Sequence, residues 1–190
     1  EQLAPPRPGF GDKTASLSVA FGIAAALFNR ERNGEPVVVD TSLLSTAMYV
    51  ASSDITYSFA LDQDFSRIAR SDVNPLFTSY RTSDDRWIML AMLNVDQWWA
   101  TFCNWVGQNS LLDDPRFVDG ASVLANREAC REFLSTMFAR TALVEWRERL
   151  QGFPGPWEVV QDCWEVVDDP QAVANGYVAA VKHPSGENLK

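Results

Sequence analysis

One stretch constrains this chain more than any other: Gly11-Asp12-Lys13-Thr14, followed at once by the apolar run Ala15 to Phe28. Ala20, Phe21, Ile23, Ala24, Ala25, Ala26, Leu27 and Phe28 leave no polar stripe, so the run reads as a helix buried on most of its sides. The helix is expected over Lys13 to Arg32. Gly34 lies just past its end as a left-handed cap, and Arg30 and Arg32 suit the negative end of the helix dipole. At the other end, unpaired amides and the macrodipole favour negative charge, which suits an ionised Asp12. Two compatible readings follow for Asp12. It caps the helix, as aspartate often does, or it is a reactive carboxylate beside amides that receive an anionic substrate.

Beyond that helix, Val37-Val38-Val39 is β-branched and predicts a short strand of a buried parallel sheet. Thr41 or Ser42 is placed to cap a second helix over Leu43 to Phe59. From Ala60 to Asp72 the charges Asp62, Asp64, Arg67, Arg70 and Asp72 break the apolar pattern and suggest a linker or an exposed helix end. Leu76 to Tyr80 and Trp87 to Met92 flank the polar turn Thr82-Ser83-Asp84-Asp85, which predicts a hairpin. A helix capped by Asp96 should run to Val106 and stop at Gly107, with Trp98, Trp99, Phe102 and Trp105 as core aromatics.

Asp114-Pro115 reads as a turn, Asn126 as the start of a helix through Ala139, and Thr141 as the cap of the next helix. The prolines of Gly152-Phe153-Pro154-Gly155-Pro156 end that helix. Trp157 to Val160 and Tyr177 to Val181 are strand-like, and Asp169-Pro170-Gln171-Ala172 opens a short helix ending near Gly176.

Charge narrows the function classes. A formal net charge of −9 leaves no basic stripe for phosphates, which argues against nucleic acid as a partner. No apolar run reaches transmembrane length, so no membrane span is expected. Cys103, Cys130 and Cys163 lack metal-type spacing. The first two sit on apolar helix faces as buried thiols, which favours a reducing, cytoplasmic setting. The pairs Asp84-Asp85, Asp113-Asp114 and Asp168-Asp169 each lie beside a turn or a proline and read as solvated turns, not a metal site. No phosphate loop, zinc-type cluster or Ser-His-Asp arrangement is present.

Three ordered blocks carry a resemblance. The first is Gly9-Phe10-Gly11-Asp12-Lys13-Thr14, with Phe21 to Gly34 and Val37-Val38-Val39-Asp40-Thr41-Ser42-Leu43-Leu44. The second runs from Asn74-Pro75-Leu76-Phe77-Thr78-Ser79-Tyr80-Arg81-Thr82 through Asp85-Arg86-Trp87-Ile88 to Asp113-Asp114-Pro115-Arg116-Phe117, and the third is Glu165 to Ala172. Together they resemble the family III CoA-transferases, a group that also contains the α-methylacyl-CoA racemases. Within it, Asp12 matches the catalytic aspartate.

The resemblance implies an α/β fold: a partial large, Rossmann-like domain (1–60), a linker (61–73), a small α+β domain (74–170) and the start of a return to the large domain (171–190). It implies coenzyme A as the acyl-CoA substrate with no metal, a carboxylic acid acceptor, and an interlocked homodimer. Gly11, Lys13, Thr14 and Asn74 become candidate substrate-binding residues. It also implies an internal piece of a longer enzyme, with most basic CoA-binding residues upstream. In the transferase route Asp12 is a nucleophile that forms a mixed anhydride and then an aspartyl thioester.

In the racemase route Asp12 acts as a base and needs a partner, usually histidine. The one histidine, His183, lies outside the family's histidine position and reads as a surface residue. Ile68-Ala69-Arg70-Ser71-Asp72-Val73 stands where some transferases carry a glycine-rich loop, which weakens the formyl- and oxalyl-CoA subtype. A reading of another class makes the piece a non-catalytic scaffold or dimerisation module, with apolar surface on the first helix and Val37 to Val39.

Overall fold

In the computed structural model of the chain, which describes residues 9–63, 73–186 and 188–189, helix α1 spans Phe10–Asn33. Its end is the expected one. Gly34 sits at φ 75°, its N–H bonds the Arg30 carbonyl, and Arg30 and Arg32 occupy the last turn. That backbone carries a Cβ penalty for other residues.

The chain divides into two compact units, Glu1–Ile68 and Ala69–Lys190. In the first, α1 is not buried on most sides as its composition suggests. Ala15 is its one buried residue, while Leu17 is 72% and Phe21 78% exposed. The reason is a shortage of neighbours: α1 packs against α2 (Leu43–Val50) and the segment before it, and the rest of its apolar perimeter stays open. Helix α2 begins with a reciprocal cap in which the Ser42 hydroxyl accepts from the Ser45 N–H and the Ser45 hydroxyl from the Ser42 N–H. The single helix expected up to Phe59 is interrupted at Ala51, and α3 continues over Ser52–Leu61.

Val37 to Val39 do not form a strand. A strand needs a neighbour for its N–H and C=O groups, and the described residues of this unit hold none. Val39 packs on α1 instead, its Cγ1 lying 2.6 Å from where a Cβ on Gly22 would stand. Gly22 therefore admits this close approach. Of the linker expected over 61–73, residues 64–72 lie outside the described residues, as does the loop at Ile68 to Asp72.

The second unit contains the strands. The predicted hairpin is present: β1 (Ser79–Arg81) pairs antiparallel with β2 (Trp87–Leu90), Tyr80 opposite Ile88. Helix α4 (Val95–Trp105) follows, then α5 (Gly120–Ala125), α6 (Arg127–Phe138) and α7 (Leu143–Leu150). Strand β3 (Trp157–Val159) pairs with the other edge of β2, Ile88 opposite Val159. Alternation sends Tyr80, Ile88, Leu90 and Val159 into one core with Trp99, Phe102, Phe138 and Trp146. Cys103 and Cys130 are buried there, and burial pushes each thiol up to about 12.

Three caps differ from the sequence expectation, two of them through long-range bonds. Asn94, not Asp96, caps α4 by accepting from the Gln97 N–H; the Asp96 carboxylate accepts from the Gly120 N–H at 2.9 Å. Thr141 is buried and does not cap α7. That task falls to Asp84 in the hairpin turn, which accepts from the Leu143 N–H at 3.1 Å. The Thr82 hydroxyl first, and then the Leu143 amide, hold the Asp84 carboxyl below its usual range. Asn126 precedes α6 as expected, but its amide donates to the Ser122 carbonyl because the unanticipated helix α5 runs directly into it.

Asp169 caps α8 (Pro170–Ala174) by accepting from the Gln171 and Ala172 amides. The strand expected at Tyr177 to Val181 is reduced to β4 (Val181–Lys182), paired with β5 (Asn188–Leu189). Among the described residues, no helix is long and apolar enough to cross a membrane.

Candidate functional site

Gly9 turns the chain into α1 with φ 74°, and the Lys13 N–H closes the first intrahelical bond on the Gly9 carbonyl at 2.9 Å. The amides of Phe10, Gly11 and Asp12 therefore precede the hydrogen-bond ladder and face out of the positive end of the helix. A glycine at the cap position brings no side chain, so no side-chain hydrogen bond caps this terminus. Asp12 is the third residue of the helix, not its cap, and its residue is exposed. The simple capping reading is thus replaced by an acidic first-turn residue beside open backbone donors.

The neighbours divide in what they offer. Gly11 has nothing within 4 Å of a notional Cβ, so the backbone there is approachable by a ligand. Lys13 is exposed and adds a positive charge next to Asp12. The Thr14 hydroxyl turns back and donates to the Phe10 carbonyl at 2.8 Å, which holds the first turn in shape. An exposed carboxylate flanked by free amides and an ammonium can attack an electrophilic carbonyl and hold negative charge as it develops.

Asn74 belongs to the other unit, and its side chain is committed to the fold. Nδ2 donates to the Met92 and Leu93 carbonyls, and Oδ1 accepts from the Leu76 N–H at 2.8 Å. It pins the segment ahead of β1 to the segment after β2. His183 is exposed; its Nδ1 accepts from the Ser185 N–H and lies 2.9 Å from the Ser185 hydroxyl. Of the paired carboxylates, Asp114 grips Arg116, while Asp84 and Asp169 cap helices. The Arg116 guanidinium, hydrogen-bonded to Asp114, holds that carboxyl below its usual range. Gln161 beside Asp169 does the same, with the α8 amides adding to it.

Comparison with known proteins places these features in context. Residues 3–190 match the family model described as CoA-transferase family III. The chain is 31% identical over 179 residues to the (R)-2-hydroxy-4-methylpentanoate CoA-transferase of Clostridioides difficile, covering 94% of this chain and 44% of that protein. It is 28% identical over 183 residues to the cinnamoyl-CoA:phenyllactate CoA-transferase of Clostridium sporogenes, with the same coverage. Among solved structures, a CAIB/BAIF family protein from Brucella suis superimposes with a TM-score of 0.78 at 22% identity, over 99% of this chain and 49% of that one. The chain spans less than half the length of these relatives.

Proposed function

The chain belongs to CoA-transferase family III, and from that membership we propose that it is the aspartate-bearing part of a longer acyl-CoA:carboxylate CoA-transferase in which Asp12 is the nucleophile. The observation that carries this reading is the start of α1: an exposed carboxylate in the first turn of a helix whose cap is a bare glycine. The exposed apolar perimeter of α1 supports the view that further chain belongs around it.

In the proposed reaction an Asp12 carboxylate oxygen attacks the thioester carbonyl of the donor, the C–S bond breaks, and CoA leaves as thiolate. The product is a mixed anhydride. The thiolate then attacks the Asp12 carbonyl, expelling the donor acid and leaving an aspartyl thioester. The acceptor carboxylate attacks that thioester and gives a second anhydride with release of thiolate. Attack of the thiolate on the acceptor's carbonyl completes the new acyl-CoA and restores the Asp12 carboxylate. Each covalent step is easy because the anhydride and the thioester are both activated. The Phe10, Gly11 and Asp12 amides are proposed to hold the oxyanions, with Lys13 steering the anionic substrate.

The two curated relatives act, by their names, on a branched and an aromatic hydroxy acid. A carboxylic acid acceptor is therefore the substrate class proposed here, in an interlocked homodimer and a cytoplasmic setting.

Incubating the full-length protein with acyl-CoA and hydroxylamine should convert Asp12 to a hydroxamate, read by peptide mass spectrometry. A protein that transfers CoA while leaving Asp12 unmodified would remove the nucleophile assignment.

A further inference from the structure

Arg116, Phe117, Glu132, Phe133, Met137 and Arg140 line a groove of about 310 Å³ in the second unit, between α6 and the loop that precedes α5. Its floor is the core itself: Phe117 is 2% and Met137 8% exposed. The volume sits at the lower end of the roughly 300–1,000 Å³ typical of small-molecule sites. That is room for one aromatic ring or branched chain with a carboxylate, and too little for a nucleotide-bearing thioester.

The rim is built around two guanidinium groups. Arg116 is fixed in position: Nε and Nη2 are held by the Asp114 carboxylate, at 3.1 and 2.7 Å, and the group lies 4.9 Å over the Phe117 ring. Asp114 takes one edge of the planar fork and leaves the Nη1 hydrogens for a second acceptor. Arg140, just past the end of α6, has no ion-pair partner among the described residues. Glu132 stands two turns up α6 from Arg140, so the groove carries both charges along its length.

We propose that this groove binds a small monocarboxylic acid with a compact apolar body. The carboxylate pairs with Arg140 and the open edge of Arg116, and the body lies on Phe117, Phe133 and Met137. Glu132 then acts as the selector. It repels a second carboxylate at the far end, so monoacids are taken and diacids of equal length refused. This inference stands on one unit alone and is independent of the role of Asp12.

The test is a titration of the full-length protein, followed by amide chemical shifts, with 3-phenylpropanoate and glutarate as probes. Saturable one-to-one binding of 3-phenylpropanoate is expected, with shifts at the groove residues and glutarate weaker by about tenfold. Arg140→Gln should weaken 3-phenylpropanoate by about tenfold or more, since a charge-assisted hydrogen bond is lost. Glu132→Gln should bring glutarate to within about threefold of it. Both side chains are exposed, so both variants are expected to fold. Shifts centred elsewhere, or an affinity unchanged by Arg140→Gln, would overturn the proposal. Inorganic sulfate competing as well as the aromatic acid would remove the role of the apolar floor.

Discussion

An Asp12→Asn variant of the full-length protein is expected to keep its fold and lose CoA transfer by about 10⁴-fold or more. The amide preserves the shape of the side chain but cannot form the anhydride, so no slower version of the same covalent route remains. The fold should survive because Asp12 is exposed and makes no cap to its own helix. Circular dichroism and melting should match the parent protein, while a coupled assay of thioester exchange shows the loss. A rate within about tenfold of the parent would mean that the carboxylate has no covalent role.

The largest expected effect on stability is at Trp146. Its side chain is fully buried, its indole N–H donates to the Phe138 carbonyl at 3.1 Å, and its ring lies 4.5 Å from that of Phe138. Trp146→Ala should destabilise the second unit by about 3–5 kcal/mol, combining the lost transfer energy with the cavity left behind. That is a large fraction of the roughly 5–15 kcal/mol that holds a domain together. The removed indole also takes one of two donors from the Phe138 carbonyl, which keeps its bond from the Thr141 N–H at 3.3 Å. Trp164 is the internal control: it is 84% exposed, and Trp164→Ala should change stability by no more than about 0.5 kcal/mol. Denaturant unfolding of the two variants separates these cases. Equal midpoints would contradict the core described above.

What could be read from the sequence was local. Gly34 stops α1 through its own backbone, Asp169 caps α8 with Pro170 next to it, and the polar residues 82–85 turn a hairpin. None of these needs a distant partner. The burial of Trp99, Phe102, Cys103 and Cys130 was legible for a related reason, since apolar residues at helical spacing mark one face of a helix, although Trp105, expected in the same core, is 42% exposed.

The failures share a cause as well. Asp84 caps a helix that begins 59 residues later, and Asp96 bonds an amide 24 residues later, so no window of sequence contains both partners. Val37 to Val39 have the composition of a strand but no strand beside them, and propensity without a ladder partner does not make a sheet. The break at Ala51 has no proline or glycine to announce it.

At the candidate site, the place of Asp12 at the start of α1 was legible and its setting only partly so. Asp12 was expected at the helix mouth, but the glycine at the cap position shifted it into the first turn and left the amides open. The groove on α6 was invisible in the sequence. Arg116 comes from a loop and lines the same groove as Arg140 only through the path of α5 and α6.

A covalent bond between Asp12 and the transferred acyl groups is the centre of the proposed mechanism, and oxygen exchange reads that bond directly. The full-length protein should be turned over with an acceptor acid whose carboxylate carries heavy oxygen, and the peptide containing Asp12 then weighed. When the thiolate attacks the acceptor's carbonyl, the bridging oxygen stays behind on the aspartate. Heavy oxygen is therefore expected in the Asp12 side chain after many turnovers and in no other carboxylate. Complete transfer of CoA with Asp12 still at its natural mass would contradict the mechanism.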